Sequence, residues 1–226
     1  MAQNWLRQAK KSNIYLRPKG VSLAIASFIC LGLLMAANPA MAHHAMGGRI
    51  PANFFEGFIS GLAHPVIGLD HLAVVLAMGF LCVGKVQGFL MPGGFLLAAM
   101  GGTGIHLLRM DLPGSEIIIA ISAIALGAIL SLEKSLSFIL LFSLVTIAGL
   151  FHGYAYGEAI VGAQMTPLVG YLLGFTLIQY GVAMLAFWIG SKGMKKSLAQ
   201  TKSLMRYCGY AVCAIGFVFL TVSLGS

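Results

Sequence analysis

Residues 136–156, LSFILLFSLVTIAGLFHGYAY, form an apolar run in which His152 is the one side chain that ionises near neutral pH. About 20 such residues cross the hydrocarbon core of a bilayer as a helix. No water reaches that core, so the backbone is satisfied only inside a helix or a closed barrel. The run has none of the two-residue alternation of a barrel strand and reads as a helix. Runs of the same kind cover residues 54–83, 86–108, 115–132, 167–190 and 204–224. Short connections join them, two of which carry Pro113-Gly114 and Thr166-Pro167. The expected fold is an all-α membrane protein, one bundle of about six transmembrane helices with no room for a second domain.

Composition points the same way. The chain has 226 residues, of which 59% are hydrophobic and 9% charged. A soluble domain carries about 25% charged residues, and with so few this chain could not cover its surface against water. The formal charge of +8 is concentrated rather than spread. Arg7, Lys10, Lys11, Arg17 and Lys19 precede the first apolar run, while Lys192, Lys195, Lys196, Lys202 and Arg206 lie at the junction of the last two. Tyr15 alone interleaves these clusters, too little for base stacking, so the pattern argues against nucleic acid and favours membrane lipid. Cys30, Cys82, Cys208 and Cys213 sit in apolar stretches without CxxC or CxxCH spacing. A disulfide frame, a zinc knuckle and attached haem are thereby excluded, and no prosthetic group is expected.

Residues 1–20 are basic and polar, and residues 21–35 are an apolar run short for a span. Ala40-Met41-Ala42 then offers small side chains for cleavage. Residues 1–42 therefore read as a signal peptide cleaved before His43, with an uncleaved anchor as the alternative. Either way, the chain at His43 emerges outside the cytoplasm, and residues 43–226 form a domain in the bacterial cytoplasmic membrane. A freed α-amine on His43 beside His44 would make an outer metal-collecting site; the plainer alternative is a polar linker. From an outside start, the loops after the first, third and fifth spans are cytoplasmic. They hold Lys85, Lys134, Lys192, Lys195, Lys196 and Lys202, whereas the outer segments hold only Arg49 and Arg109. The excess of positive charge on cytoplasmic loops gives this orientation independently of the signal.

Ionisable side chains in hydrocarbon cost at least about 2.5 kcal/mol each, so each needs a reason. His64, His71, His106 and His152 all fall in the outer half of the expected topology. In HPVIGLDH at 64–71, two imidazoles seven residues apart share one helix face, and Asp70 adjoins His71. Pro65 donates no backbone hydrogen bond and disfavours helix at His64. A kink or restart is expected here, freeing backbone groups around Gly68, as in the broken helices that line transporter cavities. In FHGYAYGE at 151–158, His152 and Tyr156 are one turn apart and Glu158 follows. Imidazole with carboxylate suits a first-row divalent ion. Asp70 and Glu158 would neutralise the ion's charge, and either would be expensive to bury alone. The plainer reading of any single histidine is a hydrogen bond between helices. Glycines at 57, 61, 68, 93, 94, 101, 102, 104, 170, 174 and 181 are expected to let helices pack closely.

HPVIGLDH resembles the HPxxGxDH signature of the HupE/UreJ family of nickel and cobalt permeases. FHGYAYGE resembles that family's second signature, FHGxAHGxE. Six spans with a histidine just after a signal are similar to the family over nearly the whole chain. The resemblance implies metal handling by His64, Asp70 and His71, with contributions from His152 and Glu158; His106 joins them on topology alone. Tyr156 stands where the family pattern commonly has histidine, which removes one nitrogen ligand.

The implied function is a secondary or facilitated permease that admits Ni²⁺ or Co²⁺ to the cytoplasm, the ion being cargo. No phosphate-binding GxxxxGK loop is present, so this chain does not itself hydrolyse ATP. Two other classes compete. An intramembrane zinc metallohydrolase would use Glu158 as general base, but the chain lacks HExxH or another hydrolase pattern. A non-transporting metal sensor or assembly factor would bind the ion without flux.

Overall fold

A computed structural model describes residues 49–132 and 136–225. The expected signal peptide, His43 and His44 lie outside the described residues, which form seven helices and no strand. The helices are α1 (Phe54–Ile67), α2 (Leu69–Leu81), α3 (Leu90–Leu107), α4 (Ser115–Ser131), α5 (Phe138–Glu158), α6 (Met165–Lys196) and α7 (Leu198–Gly225). Asn53 starts α1 by accepting the Glu56 amide at 2.9 Å, and Glu56 reaches back to the Ala52 amide at 2.9 Å. This reciprocal cap bonds one donor of the first turn and the amide just before the helix.

The expected first span is broken. α1 and α2 are bent by 79° at Gly68, yet together they are long and apolar enough to cross a membrane. Pro65 is accommodated inside α1, and the helix runs on to Ile67, past the His64-Pro65 step where the break was expected. α3, α5, α6 and α7 each qualify as spans by length and composition. α4, with 17 residues, is at the lower limit for a crossing. With the bent pair taken as one span, five crossings qualify by length and composition among the described residues, roughly the six expected, and α4 is a shorter apolar helix beside them. α6 is longer than expected: it carries Lys195 and Lys196 in its last turn, and Lys192 lies 5.6 Å over the Trp188 ring.

Glycines set the helix pairing. Gly57 and Gly61 on α1 face the carbonyl oxygens of Pro167 and Tyr171, and Gly170 and Gly174 on α6 face those of Phe54 and Phe58. Two small-xxx-small stripes thus meet, and any Cβ added there would strike backbone. The same logic joins α5 to α3, where Gly149 and Gly153 face the carbonyls of Phe95 and Ala99. In the third pair, α4 with α7, Gly127 lies against Gly209 and Cys213, and Gly216 against Ala120. Gly93, Gly101, Gly104 and Gly181 have nothing within 4 Å, contrary to the packing role expected of them.

These contacts also give direction. Sequence numbers rise together across the α1–α6 and α3–α5 pairs and oppositely across α4–α7. That is the pattern of spans that alternate in direction along the chain. Further along α6, Gly79 of α2 meets Ala183, and Gly190 meets Val83. Contact with α6 therefore advances from Pro167 to Gly190 as the bent pair proceeds, so the pair progresses across the bundle instead of doubling back.

α2 lies at the centre, packed on α4, α6 and α7. Beyond Asp70 and His71 in its first turn it is apolar all round, and Val74, Ala77 and Met78 are fully buried. The outward face is the apolar one, with Leu97, Ile139, Ile147, Leu177, Leu185 and Phe217 exposed. Water would penalise so large an exposed apolar surface, whereas lipid matches it.

Candidate metal centre

The break at Gly68 calls for glycine on steric grounds. Gly68 has φ −72° and ψ 98°, a conformation open to any residue, so its backbone does not demand glycine. Space does: a Cβ there would lie 2.6 Å from His71 Cδ2 and 3.3 Å from Asp70 Oδ1. The chain turns tightly enough to bring His64, in the last turn of α1, beside Asp70 and His71 in the first turn of α2. Asp70 gains from the positive end of the α2 dipole.

His64, Asp70, His71 and His152 are all buried. The His64 and His71 ring centroids are 5.8 Å apart, and those of His71 and His152 are 4.9 Å apart. Tyr156 packs on both α1–α2 histidines, at 4.5 Å from His71 and 5.2 Å from His64. The four residues that sequence reasoning grouped from two motifs therefore converge. His71 Nδ1 and His152 Nδ1 are 2.7 Å apart, joined by one hydrogen bond. Among the described residues, no three His, Cys, Asp or Glu side chains stand in a metal-holding arrangement. Asp70 Oδ1 is buried and accepts no hydrogen bond. A carboxylate oxygen so placed is costly unless a cation meets it.

Glu158 lies elsewhere. It is exposed at the end of α5. Six residues after His152, it is rotated about 240° around the helix and leaves the face that His152 and Tyr156 share. In the FHGxAHGxE pattern the glutamate falls in register with Ala159, one position further on. The expected pair of neutralising carboxylates thus reduces to Asp70 within the buried group. His106 packs, tilted by 55°, on Tyr154 at 4.5 Å and against Gly157, on the side of α5 that faces α3. Outer-half placement was the ground for grouping it with the others, and that fixes depth without fixing the face.

The structure adds residues that no motif marked. Tyr156 donates to Gln179 Oε1 at 2.9 Å, and Tyr171 donates to the Tyr156 carbonyl at 2.9 Å. Gln179 returns its amide to the Phe175 carbonyl at 3.2 Å. Tyr156 is thus a wall of the site with its hydroxyl committed to α6. Ser122 of α4 reaches His152 Nε2 at 3.0 Å. Gln179 was discoverable, since a lone amide inside an apolar run needs a partner. A serine in a membrane helix gives no comparable signal.

The family model for the HupE / UreJ protein matches residues 31–219. The chain belongs to the HupE/UreJ family. This is a family of membrane proteins associated with nickel and cobalt transport. Protein HupE of Rhizobium leguminosarum bv. viciae is 28% identical over 201 residues, covering 86% of this chain and 97% of that protein. No solved structure matches the chain. Within the family signature HPxxGxDH, the fixed positions of this member have distinct places: His64 and His71 are rings of the cluster, Asp70 is its carboxylate, and Gly68 makes the break.

Proposed function

We propose that this HupE/UreJ protein admits Ni²⁺ or Co²⁺ across the cytoplasmic membrane, with the ion handled by Asp70, His71 and His64 at the break between α1 and α2. The observation that carries the reading is the Asp70 Oδ1 atom, buried beside two imidazoles and accepting no hydrogen bond. Mixed nitrogen and oxygen donors suit a borderline first-row ion better than Mg²⁺ or Ca²⁺, which take oxygen. To be held by His71 and Asp70 together, an ion must be admitted at the Gly68 turn. There only a glycine leaves room.

The test is metal accumulation in cells. His71→Ala is expected to lose uptake and Glu158→Gln to keep it, since Glu158 points away from the buried rings. Equal uptake by wild type and His71→Ala would remove the site. The exposed position of Glu158 also weighs against a metallohydrolase, which would need that carboxylate as a base at the ion. Ligand imidazoles must be deprotonated, so ion affinity is expected to fall as pH drops below about 6. Titration calorimetry from about pH 5 to 8 checks this, and a constant affinity would contradict imidazole ligation.

A further inference from the structure

We infer that Ser122, on a helix that carries neither motif, sets which nitrogen His71 presents to the ion. The inference rests on the ion-site reading above for its consequence, though its geometry does not. Ser122 Oγ lies 2.7 Å from the Ile119 carbonyl and 3.0 Å from His152 Nε2. A carbonyl only accepts, so the single hydroxyl hydrogen goes to Ile119. The oxygen then offers a lone pair to His152, and Nε2 must be the donor.

A neutral imidazole has one N–H. With its hydrogen on Nε2, His152 has a lone pair on Nδ1. The 2.7 Å bond between the two Nδ1 atoms is therefore donated by His71. Neutral His71 is left with its lone pair on Nε2. That atom is bonded to Cδ2, the ring carbon that crowds Gly68, and Asp70 Oδ1 borders the same point. The chain Ile119–Ser122–His152–His71 thus turns a metal-accepting nitrogen toward the Asp70 side of the break. His152 is a positioning residue in this arrangement, and Ser122 positions it. Such partners behind a ligand fix its tautomer in metal sites generally.

The test combines two readouts on the full-length chain in lipid. Nitrogen NMR of ¹⁵N-histidine protein, assigned with His71→Asn and His152→Asn variants, reads the tautomers without metal. The expected result is N–H at Nδ1 of His71 and at Nε2 of His152. Ser122→Ala should scramble this pattern, and Ser122→Thr should restore it. Ni²⁺ or Co²⁺ affinity by calorimetry should fall roughly 10- to 100-fold in Ser122→Ala and recover in Ser122→Thr. A hydrogen on Nε2 of His71 in wild type overturns the inference, as does undiminished affinity in Ser122→Ala. Wild type that shows the expected tautomers but binds neither ion upholds the relay and overturns the ion-site reading.

Discussion

Asp70→Asn is expected to abolish ion uptake while leaving the ion-free protein at least as stable as wild type. The asparagine keeps the shape of the side chain and loses the charge. In the ion-free protein that charge is a liability: Oδ1 is buried without a hydrogen bond, and an ionised acid at membrane depth costs at least about 2.5 kcal/mol. When a divalent cation sheds its water among imidazoles, the same charge is what offsets the transfer. Uptake should fall roughly 100-fold or more, equivalent to about 2.7 kcal/mol of lost ion stabilisation. Ion accumulation and thermal unfolding, measured on the same variant, separate the two effects. Lost uptake with an unchanged or raised Tm is the expected pair. Retained uptake would show that Asp70 does not meet the ion, and a lowered Tm would make its carboxylate structural.

The neighbouring glycines 101 and 102 provide the second large contrast. Gly102→Leu is expected to break the bundle, and Gly101→Leu to leave it intact. A Cβ at Gly102 would strike the Leu150 carbonyl oxygen and approach the Tyr154 amide at 2.7 Å, both backbone atoms with no rotamer to yield. Overpacking of this kind costs at least about 3 kcal/mol, because two whole helices must separate. Gly101 is exposed and has nothing within 4 Å, so a leucine there adds apolar surface to the lipid face. Size-exclusion profiles of the two variants in detergent check the contrast. A monodisperse Gly102→Leu protein would contradict close α3–α5 packing.

That contrast also shows what the sequence could not supply. Both glycines sit in one apolar run, and composition cannot tell which faces a helix and which faces lipid. Hydrophobic periodicity is nearly silent when lipid and core are equally apolar. The spans themselves were legible from their length and lack of charge, including the break that Pro65 foretold. Its position was not: Pro65 fits inside α1, and the chain turns where Gly68 leaves room for His71. His64, Asp70, His71 and His152 lie together from three helices, whereas the shared face read for His64 and His71 assumed one unbroken helix. Glu158 and His106 were grouped by depth, and depth says nothing about direction around a helix axis. Ser122 was invisible because a serine hydroxyl can always bond its own helix, and only the third dimension places His152 beside it.

Ion flux through purified wild-type protein in sealed liposomes, with no other protein present, tests the proposed transport most directly. The expected result is saturable uptake of Ni²⁺ or Co²⁺ that is lost when His71 is replaced by alanine. Stoichiometric binding of the ion without any accumulation inside the vesicles would contradict transport and leave a sensor or assembly role in its place.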